Sequence, residues 1–249
     1  IMMTHTVGID LRAARRHSPK KPFARGLLNS VLIASLGVSG HALALAPGDL
    51  QKAVDGAYAK FKGLKDGKTA SYIPELDNVD PELFAVVITT VDGKVYAAGD
   101  VDHTFSIQSV AKPFTAAMLM ENQGIDALRE KIGVEPTGLP FNSNLALEVV
   151  AGPATNPLVN AGAIASVSAI KAKNAKDRWN KILAYYSDFA GEKLKLMEDV
   201  YQSEAKTNWN NQSIGFRLLN IGRLYGNDGN VLNAPHYGTA KAAQEAVDV

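Results

Sequence analysis

The sequence predicts an α/β chain of the α+β type, a β-hairpin leading into a large helical region. Two observations carry this. A β-branched run, Phe84 to Val91, is followed by Asp92-Gly93 and a second short apolar run, Val95 to Ala98, which is the pattern of two strands joined by a tight turn. Beyond it, apolar residues recur at helical spacing over Ser109 to Glu121, Pro157 to Ala172, Lys176 to Ala190 and Asn208 to Tyr225.

Taken in order, residues 1–44 read as a secretory leader. Six basic residues (Arg12, Arg15, Arg16, Lys20, Lys21 and Arg25) precede a stretch from Gly26 to Ala46 that holds no Asp, Glu, Lys or Arg. Its apolar centre runs from Leu27 to Val38, and Ala42-Leu43-Ala44 offers a small-residue cleavage site. Basic, apolar and small segments in that sequence direct secretion, here to the periplasm, and leave no stable membrane span after cleavage. The alternative, an uncleaved anchor, requires a longer uninterrupted run. Residues 45–249 are then one mature domain. Asp49 can N-cap a helix with Leu50, Val54, Tyr58 and Phe61 on its apolar face, ended by Gly63 and Gly67. The stretch from Pro157 to Ala172 is apolar nearly all round, as in a buried helix. Lys176 to Ala190 is amphipathic through Trp179, Ile182, Leu183, Tyr186 and Phe189, with Gly191 placed as a C-terminal stop. Gly226 is placed to stop the last helix.

Composition narrows the chemistry. The 249 residues contain no cysteine, which removes disulfide scaffolds, thiol nucleophiles and cysteine metal sites. The net charge of +1 gives no support to nucleic-acid binding. The charge is uneven, since residues 26–249 carry 20 bases against 24 acids. Gly63 to Thr69 looks like a phosphate loop but is one residue short between its glycines and follows a helix, so it reads as a solvated turn. His5, His17 and His41 fall in the leader, and His103 and His236 lack ligand spacing, so neither a metal nor a cofactor is expected. A serine hydrolase without a histidine base can use lysine at Ser-x-x-Lys, which places both side chains on one helix face. The pattern occurs at Ser18–Lys21, Ser109–Lys112, Ser168–Lys171 and Ser203–Lys206. Ser168 belongs to a buried helix face and Ser203 to a polar stretch. Only Ser109-Val110-Ala111-Lys112 opens a helix after a hairpin, where the dipole favours an alkoxide and a neutral lysine. On pattern alone, a helix start with an exposed lysine fits equally well.

The wider series breaks that tie. Tyr72-Ile73-Pro74-Glu75-Leu76, Ser106-Ile107-Gln108-Ser109-Val110-Ala111-Lys112-Pro113-Phe114, Thr137-Gly138-Leu139-Pro140-Phe141-Asn142-Ser143, Asn156-Pro157-Leu158-Val159-Asn160-Ala161-Gly162-Ala163-Ile164, and Ser203-Glu204 with Asn208-Trp209-Asn210-Asn211 occur in this order. The series, from about Gly48 to about Tyr225, resembles the glutaminase family. The resemblance implies a serine β-lactamase-like fold, hydrolysis of L-glutamine to L-glutamate and ammonia, and self-association into dimers or tetramers. It also implies roles: Ser109 as nucleophile, Lys112 as general base and Tyr72 reaching serine and substrate. Asn160, Glu204 and Asn211 would hold the α-amino and α-carboxyl ends, with Gln108 a pocket neighbour. Each has a plainer reading when taken singly. Asn160 would be a bridge within a helix, Tyr72 a core tyrosine, and Glu204 with Asn211 a solvated helix face.

Residues 226–249 depart from the family pattern. Family members continue into a Tyr-containing segment and a Gly-rich stretch that supplies an oxyanion-hole N–H and late strands. Here Pro235 stands where the first such tyrosine is expected, Tyr237 is displaced, and no Gly-rich stretch follows. The expectation is a sheet lacking its C-terminal strands, with an unpaired edge and an uncovered apolar face, and a weakly active, aggregation-prone chain. The alternatives are a degenerate homologue without activity and, with less support, a penicillin-recognising Ser-x-x-Lys enzyme, which would need a Lys-Thr-Gly-type motif.

Overall fold

The computed structural model describes residues 7–8, 47–149 and 155–232. The leader's apolar centre, its cleavage site, His236 and Tyr237 lie outside the described residues. In chain order the elements are β1 (Val7–Gly8), α1 (Pro47–Phe61), α2 (Pro74–Asp77), β2 (Ala85–Thr89), β3 (Val95–Gly99), a 3₁₀ turn (Gln108–Val110), α3 (Ala111–Gln123), α4 (Ile125–Lys131), α5 (Ala146–Val149), α6 (Asn160–Ala169), α7 (Ala175–Ala190), β4 (Lys195–Leu196), α8 (Glu198–Ala205) and α9 (Trp209–Asn220). The described residues divide into two compact units, residues 47–66 with 82–103, and residues 7–8 with 67–81, 104–149 and 155–232. No helix among the described residues is long and apolar enough to cross a membrane.

In the smaller unit β2 and β3 pair antiparallel, with Val87 opposite Ala97. The turn is a three-residue loop, Val91 to Gly93, with Gly93 at φ 82° and Thr90 N–H donating to Lys94 O at 2.9 Å. A glycine in the left-handed region closes this loop length without strain. The hairpin's expected bare face is in part covered. Helix α1 lies on it, with Tyr58 stacked on Phe84 at 5.7 Å between ring centroids and Gln51 Nε2 donating to Ala97 O at 3.3 Å. Asp49 is not the cap expected of it; it lies in the first turn of a helix that begins at Pro47, whose fixed φ suits a first helical position. Phe61 is about half exposed, at 46%. Gly63 through Lys68 are exposed, as a solvated turn should be.

The larger unit is built around α6, all ten residues of which are buried. It packs against α3, α4 and α9, and the core includes Leu119, Ile132, Ile164, Ile182, Ile214 and Leu218. Helix α6 begins three residues later than its apolar pattern, because Asn156 Oδ1 accepts from Leu158 N–H at 3.0 Å and holds the chain in a turn. Helix α7 follows expectation: Asn174 Oδ1 caps Asp177 N–H at 2.9 Å, and Gly191 ends it in the left-handed region. Helix α9 stops at Asn220 rather than running to Gly226. Gly222, at φ 68°, turns the chain so that Arg223 N–H reaches Leu218 O at 2.8 Å, a Schellman-type end. The polar stretch around Ser203 is helical, as α8. Short helices of this kind carry too few turns for a periodic signal.

Candidate active site

Ser109 stands exposed on the 3₁₀ turn that opens α3. Gln108, immediately before it, is held at φ 45°, a left-handed conformation that costs a non-glycine residue energy and that surrounding contacts must impose. Its Nε2 donates to Ser106 Oγ at 2.7 Å, while its Oε1 is buried without a partner. Lys112 lies in the first turn of α3, buried to 6% exposure. Its Nζ donates to Asn160 Oδ1 at 2.7 Å rather than to Ser109. Burial pushes this lysine down to about 8, against the opposing pull of Glu204. An ammonium at a helix N-terminus is also disfavoured by the helix dipole.

From Asn160 the polar chain continues. Its Nδ2 donates to buried Asn211 Oδ1 at 2.9 Å, which leaves Asn211 its amide N–H groups to offer. Both asparagines line a cavity of about 290 Å³ together with Tyr72, Phe141, Asn142, Glu204, Thr207 and Asn210. Glu204 is 2% exposed, and among the described residues neither carboxylate oxygen has a hydrogen-bond partner at full geometry. It sits in the last turn of α8, where the helix dipole opposes negative charge. Burial pushes its carboxyl up to about 7, against the opposing pull of the Gln108 side-chain amide and of Lys112. Tyr72 is largely exposed at the cavity edge, and burial of its hydroxyl with the nearby Glu204 raises its pKa. It arrives there because Glu75 N–H donates to Ser203 Oγ at 3.1 Å, tying α2 to α8.

The structure therefore brings Tyr72, Lys112, Asn160, Glu204 and Asn211 together. Ser109 and Lys112 do not line the cavity; Lys112 connects to it through Asn160. The plain reading of Glu204 and Asn211 as a solvated helix face is overturned, since both are buried. The segment from Asn156 to Gly162 also has a physical basis. A Cβ on Gly162 would lie 1.7 Å from Asn156 O, so only glycine lets the turn pass close enough to set Asn160 at the start of α6. Residue-by-residue reading missed Phe141, Asn142, Thr207 and Asn210 as cavity residues. Their signal was the asparagine-rich composition of 142–144 and 208–211.

The arrangement can do acyl chemistry. A serine at a helix start, a desolvated lysine three residues on, and a buried carboxylate without a full hydrogen bond among the described residues suit a substrate that brings its own cation. Comparison with known proteins agrees in kind. The family model described as Glutaminase matches residues 67–237. Glutaminase 1 of Shigella flexneri is 49% identical over 176 residues, covering 71% of this chain and 57% of the relative. Glutaminase 1 of Escherichia coli strain K12 matches with the same identity and coverage. A solved structure titled probable glutaminase ybaS superposes with a TM-score of 0.73 at 44% identity, over 82% of this chain and 62% of that one. The chain thus spans somewhat over half the length of the curated relatives it matches.

Proposed function

Since the chain belongs to the glutaminase family, with its β-lactamase-like fold, we propose that it hydrolyses L-glutamine to L-glutamate and ammonia. The observation that carries this is the buried Glu204 carboxylate, which has no hydrogen-bond partner at full geometry among the described residues and faces the same cavity as the amide groups of Asn160 and Asn211. A free amino acid is a zwitterion. Its ammonium would satisfy Glu204, with Gln108 Oε1 as a neighbouring acceptor, and its carboxylate would take the asparagine N–H groups.

Neutral Lys112 accepts the Ser109 hydroxyl proton as Ser109 Oγ attacks the side-chain carbonyl carbon. The tetrahedral intermediate collapses as Lys112 returns the proton to the departing nitrogen, leaving a glutamyl ester on Ser109 and free ammonia. Water, deprotonated by Lys112, cleaves the ester and restores the serine. Tyr72, at the edge of the same cavity beside Glu204, would reach the bound substrate. The distance from the zwitterion clamp to Ser109 selects the five-carbon amide over its shorter homologue.

The reading extends to secretion of a cleaved periplasmic protein and to self-association as a dimer or tetramer. It needs no metal or cofactor. Ammonia release from glutamine by the purified chain tests the activity. Ser109→Ala should abolish it and Lys112→Ala should lower it by about 10²–10⁴-fold; activity retained in either variant removes the mechanism. Labelling of Ser109 by a penicillin in preference to a glutamine analogue would favour the transpeptidase-type alternative.

A further inference from the structure

Lys112 has a roof. The ring of Phe141 lies 5.6 Å from its Nζ, measured to the ring centroid, and Phe141 is carried on a loop without helix or strand. One point of that loop is tied to the core, where Asn160 N–H donates to Phe141 O at 2.8 Å. The following residues are tied elsewhere, chiefly by one side chain on α9. Asn210 Nδ2 donates to Asn142 O at 2.8 Å, and its Oδ1 accepts from Asn144 Nδ2 at 2.8 Å. Ser213 Oγ, one turn further along α9, donates to Asn144 Oδ1 at 3.4 Å. A single amide thus uses its donor and its acceptor on two loop residues two apart, next to Asn211 in sequence.

We propose that Asn210 is a positioning residue whose two bonds to Asn142 and Asn144 hold Phe141 over the Lys112 ammonium and keep water from it. The role rests on Lys112 acting as the base, as in the reading above. Asn210 is itself exposed, so its truncation leaves the buried core intact. The groups facing Lys112 are Glu204 from α8, the neutral Asn160 from α6 and the Phe141 ring. Without the clasp the ring moves off, water reaches Nζ, and the ammonium form gains relative to the amine. Near neutral pH the fraction of Lys112 able to act as base then falls.

The test uses the full chain, Asn210→Ala and Asn144→Ala. The reactivity of Lys112 toward acetic anhydride is followed against pH by mass spectrometry, alongside glutamine turnover and the melting temperature. In Asn210→Ala the Lys112 midpoint should rise by about one pH unit, and kcat at pH 7 should fall by the corresponding factor of about ten, with the melting temperature unchanged. Asn144→Ala should move the same readings in the same direction by less, and it carries the titration if Asn210→Ala does not fold. A Lys112 midpoint equal to the parent's in a folded variant overturns the proposal, whatever happens to the rate. A parent chain that releases no ammonia from glutamine instead removes the reaction reading, and the Lys112 titration still decides the clasp.

Discussion

At the residue scale, Lys112 and Glu204 are each placed where an isolated helix would not want them. The lysine is in the first turn of α3 and the glutamate in the last turn of α8, each against the local dipole, and both are buried. Such a pair lowers stability so that a ligand can restore it. Replacing Glu204 by Gln should therefore raise the melting temperature near pH 8 while abolishing glutamine turnover; a lower melting temperature would show the carboxylate to be a structural partner of Lys112. Gln108 tests a different strain. Its φ of 45° is open to glycine, so Gln108→Gly should preserve the backbone before Ser109. Gln108→Val should lose about 1–3 kcal/mol in denaturant titration. Ser109 and Lys112 stand in the sequence as one of four identical spacings, and only their neighbours set this pair apart as the candidate. The Gln108 strain was not legible, because a left-handed residue is imposed by its surroundings rather than by its own preference.

At the element scale, α6 is the keystone of the site, because its first residue joins Lys112 to Asn211. Its position depends on a close pass of backbone on backbone. Gly162→Ala would bring a methyl within 1.7 Å of Asn156 O, and chemical denaturation should show a loss of about 3 kcal/mol or more. By contrast, removing the Asn174 cap of α7 should cost about 1 kcal/mol and leave Lys112 untouched. In the smaller unit Gly99 plays a part like that of Gly162. At φ 88°, a Cβ there would stand 2.2 Å from Phe84 O and 2.4 Å from the Tyr58 ring, where the chain must pass beneath α1. The long helices and the hairpin were readable because periodicity accumulates over several turns and the Asp-Gly pair favours one kind of loop. Helix ends moved by three to five residues in α6 and α9, where an Asn side-chain turn and an early left-handed glycine overrode the apolar pattern.

At the scale of the whole molecule, the two buried ionisations give stability and activity opposite dependences on pH. The Glu204 carboxyl rises from an ordinary 4.5 to about 7. The folded state therefore holds that proton more tightly than the unfolded chain does. Its contribution to stability is present below about 4.5 and is lost as pH climbs to about 7, a change on the order of 3 kcal/mol. Lys112 falls from 10.5 to about 8, so stability is regained as pH rises from about 8 to 10.5. A stability minimum between about 7 and 8 is expected from melting curves, where both groups carry charge. In the proposed reaction turnover should instead rise through the same interval, since there binding uses the Glu204 carboxylate and chemistry uses neutral Lys112. By itself the sequence determined the hairpin, the long helices and the family, because periodicity, turn chemistry and motif spacing are local properties of the chain. Only the tertiary structure decided that Glu204 and Asn211 are buried in one cavity and that Asn160 holds Lys112. It alone showed that Asn210 ties down the loop over that lysine. These contacts join residues 48 to 68 positions apart, and burial and hydrogen bonding at such range depend on how helices pack rather than on any local pattern.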